Sequence, residues 1–314
     1  MINTSSSNKE SHNIFFIVLL VFAMLIWGGS WTSAKLVANT ISPLILAFLR
    51  FVLTFFSFIP MLIIFKEKLY IDKKTLIMIL LSSVLVVLYN ILFFFGLKIG
   101  LAGAGGVMVT SINPIFTFLL SLIIYKKNIK TKELFGLILG LAGGLILLEV
   151  WNISPAKLFA SGNLIFIIAS LIWSLLTITS GESQKKISIF VFSFYMYGIS
   201  SVIEFFIALP FGMQDVFHMN WFFWLNIFYL SIVSTAFATS IYFISTKKIT
   251  ANKTSSFILL VPIFAVIISF FVLKEIPKFS TIVGGILAMT AIYLINKKLN
   301  IRVKEKYSQI KQKE

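Results

Sequence analysis

The chain has 314 residues, of which 59% are hydrophobic, a mean hydropathy of +0.99 and a formal charge of +16. A soluble domain is typically about 45–50% apolar, so this composition excludes an ordinary water-soluble fold. With no cysteine and only two histidines, His12 and His218, both outside the apolar stretches, it also excludes disulfides, thiolate metal sites and a histidine-held metal within them.

In chain order, residues 1–13 are polar and rich in Ser and Asn, and are expected to be a tail. A helix needs about 20 mostly apolar residues to cross hydrocarbon. Candidate spans fall at 14–34, 43–65, 75–96, 102–124 and 134–150. A linker at 151–161, with Ser154, Pro155 and Lys157, follows. Five more spans fall at 162–180, 190–210, 221–243, 254–273 and 279–296, before a basic tail at 297–314. The first span lacks a small-residue cleavage site and reads as a retained helix rather than a signal peptide. The expected fold class is therefore an all-α integral membrane protein with ten transmembrane helices.

The cations follow the loops. Of 27 Lys and Arg, 21 lie on one side of the bilayer if the spans alternate, five (Lys35, Lys98, Lys157, Lys274, Lys278) on the other, and Arg50 inside a span. The positive-inside rule then places both termini in the cytoplasm and assigns the net charge to a membrane surface, not to nucleic acid.

Internal similarity is weak but ordered. Ala23, Leu25, Ile26 and Trp27 recur as Ala169, Leu171, Ile172 and Trp173 at an offset of 146. Pro60 recurs as Pro210 at 150; Pro114-Ile115-Phe116 recurs as Pro262-Ile263-Phe264 at 148; Gly136 and Ile138 match Gly284 and Ile286, also at 148. A unit of five spans is odd-numbered, so a second copy enters the bilayer from the opposite side. This predicts two inverted five-helix repeats, at 14–150 and 162–296, joined by an extracytoplasmic linker. Inverted repeats are common in secondary transporters, whose halves exchange inward-open and outward-open forms.

Charges inside hydrocarbon are expensive and usually face protein or a wet cavity. Arg50 and Glu204 each lie several residues from the outer end of their spans, roughly 9–10 Å deep at about 1.5 Å per residue. They are expected to pair across the bundle at an outer gate, or Arg50 to hold a substrate carboxylate; the plainer reading has Arg50 snorkelling outward to local carbonyls. Glu204 is the one acidic residue well inside a span and the candidate for proton coupling.

Trp27 and Trp173 sit mid-span, where they could line a cavity or simply pack. Tyr89 and Asn90 on span three, and Thr235, Thr239, Ser240 and Tyr242 on span eight, could bond a solute or join helix to helix. Asn113 precedes Pro114, and Pro114 and Pro262 predict paired bends. Gly136, Gly140 and Gly144 in span five, with Gly284 and Ala288 in span ten, predict a close-packing face, within the bundle or between subunits, so monomer and homodimer both stay open. The glycines from 100 to 106 predict a tight turn and a hinge rather than a phosphate cradle.

The run Trp27-Gly28-Gly29-Ser30-Trp31 followed by Ala34-Lys35, the pattern Ser42-Pro43 with Ala47, Phe48, Arg50 and Phe51, and Pro114-Ile115-Phe116 followed by a basic loop, Glu133 and a glycine-rich fifth helix together resemble the EamA-like branch of the drug/metabolite transporter superfamily. The second half departs from the pattern, with Ser174 where the first half has Gly28 and Ser200 at the position of Arg50. The resemblance spans nearly the whole chain. It implies a five-plus-five inverted-repeat bundle that moves small organic solutes, often outward; the expected location is a bacterial plasma (inner) membrane, and no cofactor or metal is expected. Spans one to four and six to nine would surround the cavity. Intramembrane catalysis would need a cluster such as His with Glu or paired Asp, and the spans contain none, so no enzyme activity is expected. A non-transporting receptor or assembly subunit is the competing reading; it would call for larger exposed loops.

Overall fold

A computed structural model describes the backbone of residues 4–125, 131–147, 149, 151, 162–248 and 257–296. Among them there is no strand. Ten helical rods follow in order: α1 (Thr4–Val37), α2 (Pro43–Ile64), α3 (Lys73–Ile99), α4 (Ala102–Tyr125), α5 (Thr131–Leu147), α6 (Asn163–Ser183), α7 (Ile189–Ala208), α8 (Trp221–Phe228, continued by Tyr229–Ala238 and Thr239–Lys248), α9 (Leu260–Leu273) and α10 (Phe279–Asn296). Seven of these are long and apolar enough to cross a membrane; α5, α9 and α10 are shorter apolar helices. The chain is a membrane protein.

Local signals set the helix starts. Ser42 caps α2, its hydroxyl accepting from the Leu44 N–H, and Pro43 occupies the first turn, where no N–H is needed. Asp72, Ser188 and Asn220 cap α3, α7 and α8 in the same way. Gly162, before α6, has φ +72° and lies against the Gly96 carbonyl, a conformation and a closeness that favour glycine. The α3–α4 turn is held from both sides. Lys35 Nζ donates to the Leu97 and Gly100 carbonyls (2.6 and 2.7 Å), and the Glu275 carboxylate accepts from the Ala102 and Gly103 N–H groups (3.1 Å each). A cation thus meets the carbonyl end of α3 and an anion the N–H end of α4, as helix ends require.

The rods pair in a regular way. α5 packs chiefly on α10, and α2 on α7; α1 packs on α9 while α4 packs on α6; α3 packs on α6 while α8 packs on α1. Phe166 of α6, fully buried, fills the space left by Gly96 and Gly105, and its ring lies 6.0 Å from that of Trp31. The outward faces carry large apolar residues such as Ile63, Ile64, Phe206 and Phe271. In a bilayer these meet lipid at no cost.

Several expectations need correction. α1 is helical from Thr4, so the helix extends into the segment expected to be a tail, while its apolar span begins at Phe15, one residue from the expected start. Pro262 is the third residue of α9, just after a 3₁₀ turn at Phe257–Leu259 joins that helix, and so lies near its start and not at its middle. Of the glycines from 100 to 106, only Gly100 lies in the turn; Gly103, Gly105 and Gly106 lie within α4 and receive Ser269, Phe166 and Ala265, so they serve packing and not a hinge. The α5–α10 contact uses Gly140, Gly284 and Ala288 of the expected face and adds Gly143 to them. A Cβ on Gly143 would stand 2.8 Å from the Gly284 carbonyl oxygen. Residues 152–161 of the expected linker at 151–161, and the tail at 297–314, lie outside the described residues.

Candidate functional site

Arg50 leaves α2 toward the bundle interior. One guanidinium nitrogen donates to Asn90 Oδ1 on α3 (3.2 Å) and another to Thr235 Oγ1 on α8 (3.3 Å), and the group stands 5.0 Å from the centre of the Phe93 ring. That cation–π contact supplies electrostatic support that lipid cannot. Asn90, 0% exposed, spends its amide nitrogen on the Ala47 carbonyl and on Glu204 Oε1, both at 3.1 Å. Glu204, 1% exposed, comes from α7. Four helices therefore converge on one polar cluster inside the bundle.

The expected Arg50–Glu204 pair is not direct. Asn90 stands between them, its carbonyl facing the cation and its amide the carboxyl. Nor does Arg50 reach outward to local carbonyls; its bonds run to α3 and α8. Two atoms of the cluster, Arg50 Nε and Glu204 Oε2, are buried without a hydrogen-bond partner.

The other expected residues group around this cluster. The Tyr89 ring lies 4.5 Å from Trp173 of α6 and 6.0 Å from Phe93, so Trp173 joins the aromatic wall beside Arg50. Trp27 sits across α8: its Nε1 donates to the Ser234 carbonyl (3.1 Å) and its ring lies 5.4 Å from Tyr242. Thr239 opens the last segment of α8, half-buried, three residues before Tyr242. Asn113 lies apart on the α4–α6 seam, its amide donating to the Ser170 carbonyl (3.3 Å) and Ser174 Oγ (2.9 Å). Ser174 Oγ in turn bonds the Asn113 carbonyl, which gives that departure from glycine a packing role.

Sequence reading missed Phe93, although it is three residues beyond Asn90 and so shares its helix face. Thr235 was noted only as one of several hydroxyls. Nothing in the sequence signalled that Tyr229–Ala238 is π-helical. That segment presents carbonyls to other helices, Ser231 to Thr54 Oγ1 (3.3 Å) and Ser234 to Trp27, and the Thr235 hydroxyl bonds back five residues to Leu230. π-helical insertions are rare and recur at functional positions.

An open groove of about 610 Å³ lies outside the cluster, between α2 and α7, lined by aromatic side chains that include Phe48, Phe55, Phe194 and Phe205. It has little polar surface, so the chemistry of the fold is concentrated at Arg50, Asn90, Glu204 and Thr235.

These features define an all-helical membrane protein with a buried, multi-helix charge cluster. Comparison with known proteins then gives the family. The profile of the EamA-like transporter family matches residues 14–148 and again 160–297, and the chain belongs to that family. Relatives include an uncharacterized transporter of Archaeoglobus fulgidus, 24% identical over 93% of this chain and 99% of that protein. The uncharacterized transporter YoaV of Bacillus subtilis is 26% identical over 88% and 94%. A WAT1-related chloroplastic protein of Arabidopsis thaliana is 28% identical over 64% of this chain and 50% of its own length. A solved crystal structure of a protein 17% identical superposes with a TM-score of 0.65 over 91% of this chain and 98% of that one, a likeness of fold.

Proposed function

We propose that this protein is a secondary transporter or facilitator that moves a small organic metabolite, amino-acid-like or drug-like, across the bacterial plasma membrane by alternating access. The resemblance in sequence favours the outward direction. The observation that carries the reading is the Arg50–Asn90–Glu204–Thr235 cluster. Charged groups buried within spanning helices are retained where they act on a solute or an ion, and this cluster ties α2, α3, α7 and α8 together at one point.

The proposed architecture is two inverted repeats, 14–150 and 162–296, with both termini cytoplasmic. Three observations support it. The family profile matches the chain twice in tandem. Exchanging the first and second sets of five helices turns the α1–α9 contact into α6–α4 and the α3–α6 contact into α8–α1, and all four contacts exist. The α2–α7 and α5–α10 contacts map onto themselves. In this frame the α3–α4 turn, with Lys35 and Glu275, marks the outer face. Trp27, Arg50, Tyr89, Asn90, Asn113, Trp173, Glu204, Thr239 and Tyr242 are the proposed solute-binding and gating residues.

The test is solute flux in proteoliposomes. A metabolite library is first screened for compounds that raise the thermal stability of the purified protein, since ligands that bind the folded form stabilise it. The hits are then assayed for flux. Arg50→Ala and Glu204→Gln should each alter it. Binding without flux of any hit, in either direction, would instead favour a receptor or assembly subunit.

A further inference from the structure

We propose that Glu204 is a proton-binding site, occupied in the closed arrangement described above, and that loss of its proton is what drives Arg50 and Glu204 into direct contact. The inference deepens the transport reading, resting on it only for the consequence that protons then drive solute movement.

The geometry carries it. An ionised carboxylate offers about four acceptor positions. Glu204 has one filled, by Asn90 on Oε1, while Oε2 is buried and has no partner. An ion buried with a single neutral partner carries a heavy desolvation penalty, and the protonated carboxyl avoids most of it. The nearby cation favours the carboxylate but makes no bond to it: two guanidinium nitrogens are bonded to Asn90 and Thr235, the group stands over Phe93, and Nε has no partner. Its two bonds to neutral oxygens, 3.2 and 3.3 Å, are long.

Asn90 acts as the spacer. Its carbonyl and both amide directions are spent on Arg50, Ala47 and Glu204, and this holds α2 and α7 at a set distance across α3. Release of H⁺ to water leaves a carboxylate facing an arginine that remains protonated. Direct pairing then competes with the spacer and favours a different packing of α2 against α7. Other groups near the pair are few. Arg50 approaches from α2 and Tyr89 from α3, and Tyr197 lies on α7 itself, within electrostatic reach of Arg50. α8 presents the neutral Thr235; its last segment, which also packs on α7, has Tyr242 against Trp27 and carries Lys247 and Lys248 in its final turn. The turn Leu209–Phe211 contains no titratable group.

The chain has no cysteine, so one introduced thiol reports alone. Ala47→Cys places it at a fully buried position one turn from Arg50. The full-length protein in phosphatidylethanolamine/phosphatidylglycerol vesicles is titrated with a membrane-impermeant maleimide. Beyond the ordinary thiolate trend, labelling should rise with pH by up to about tenfold per unit, the limit for one proton. In Ala47→Cys/Glu204→Gln this extra step should vanish. Infrared spectra at neutral pH should show a protonated-carboxyl carbonyl band that Glu204→Gln removes. Should Glu204→Gln fail to fold, Glu204→Asp must keep the band at a shifted frequency. An unchanged band in either variant, a labelling step that survives Glu204→Gln, or a step driven by sodium at fixed pH overturns the proposal. Neither readout needs a transported solute. A positive band without flux would therefore retire the transport reading while leaving the proton site in place.

Discussion

Replacing Asn90 by leucine removes the centre of the buried cluster without a large change in volume. Three hydrogen bonds are lost, to Arg50, to Glu204 and to the Ala47 carbonyl. The bond to the guanidinium ion is worth about 1.5–3 kcal/mol and each of the others about 0.5–1.5 kcal/mol. All three partners lie where water cannot easily replace Asn90, and breaking a buried ionic network by removing one member typically costs about 3–5 kcal/mol. The apolar gain of leucine offsets little, because it would press against a guanidinium. We expect a net loss of about 3–5 kcal/mol. At about 2 °C per kcal/mol, the low end for chains of a couple of hundred residues, the midpoint of thermal unfolding should fall by about 6–10 °C. The assay is intrinsic tryptophan fluorescence of the purified protein on heating, checked by circular dichroism. The double variant Arg50→Met/Asn90→Leu should fall by less than the sum of the singles, since one interaction is removed twice. A fall of less than about 2 °C for Asn90→Leu, or strict additivity, would refute the idea that Asn90 bridges Arg50 and Glu204.

Further expectations concern the frame. Phe166→Ala empties the space between Gly96 and Gly105 and should cost about 3–5 kcal/mol, read as a lower unfolding midpoint. Gly143→Ala brings a methyl against the backbone of Gly284 and Ala288, so it should destabilise by about 1–3 kcal/mol, whereas Gly181→Ala, with open space around it, should raise the midpoint slightly. Glu275→Ala leaves the Ala102 and Gly103 N–H groups without their acceptor and should cost about 1 kcal/mol in the same assay. Asp72, outside the spans, is held down to about 2, first by the hydrogen bond from Lys186 and then by that from Thr75. A depressed carboxyl stabilises the fold above its unfolded value near 3.8 and loses that contribution as pH falls toward 2. Asp72→Asn should therefore flatten the acid side of the stability profile in that window, and an identical acid limb would contradict the bond to Lys186.

Much of the frame was legible because it depends on one-dimensional properties. Span length and loop charge are sums over neighbouring residues, so the starts of α2 at Pro43, α4 at Ala102, α8 at Trp221 and α10 at Phe279 coincide with the expected positions. Arg50, Asn90 and Glu204 stood out because polar groups in hydrocarbon are costly wherever they fall. Partners were less legible. Whether Arg50 meets Glu204 directly or through Asn90 depends on the azimuth of three helices, and an error of a fraction of a turn exchanges one neighbour for another. The same holds for Gly143, which joins Gly140 on the α5–α10 face.

By itself, then, the order of residues determined that this chain is a bundle of membrane helices with a few buried polar groups, because hydrocarbon imposes the same demand on every segment that enters it. Only the tertiary structure decided which groups meet. Asn90 became a spacer, Phe93 a cation's partner and the Tyr229–Ala238 segment a π-helix, because each depends on how the helices are rotated against one another and on which carbonyls that rotation leaves within reach.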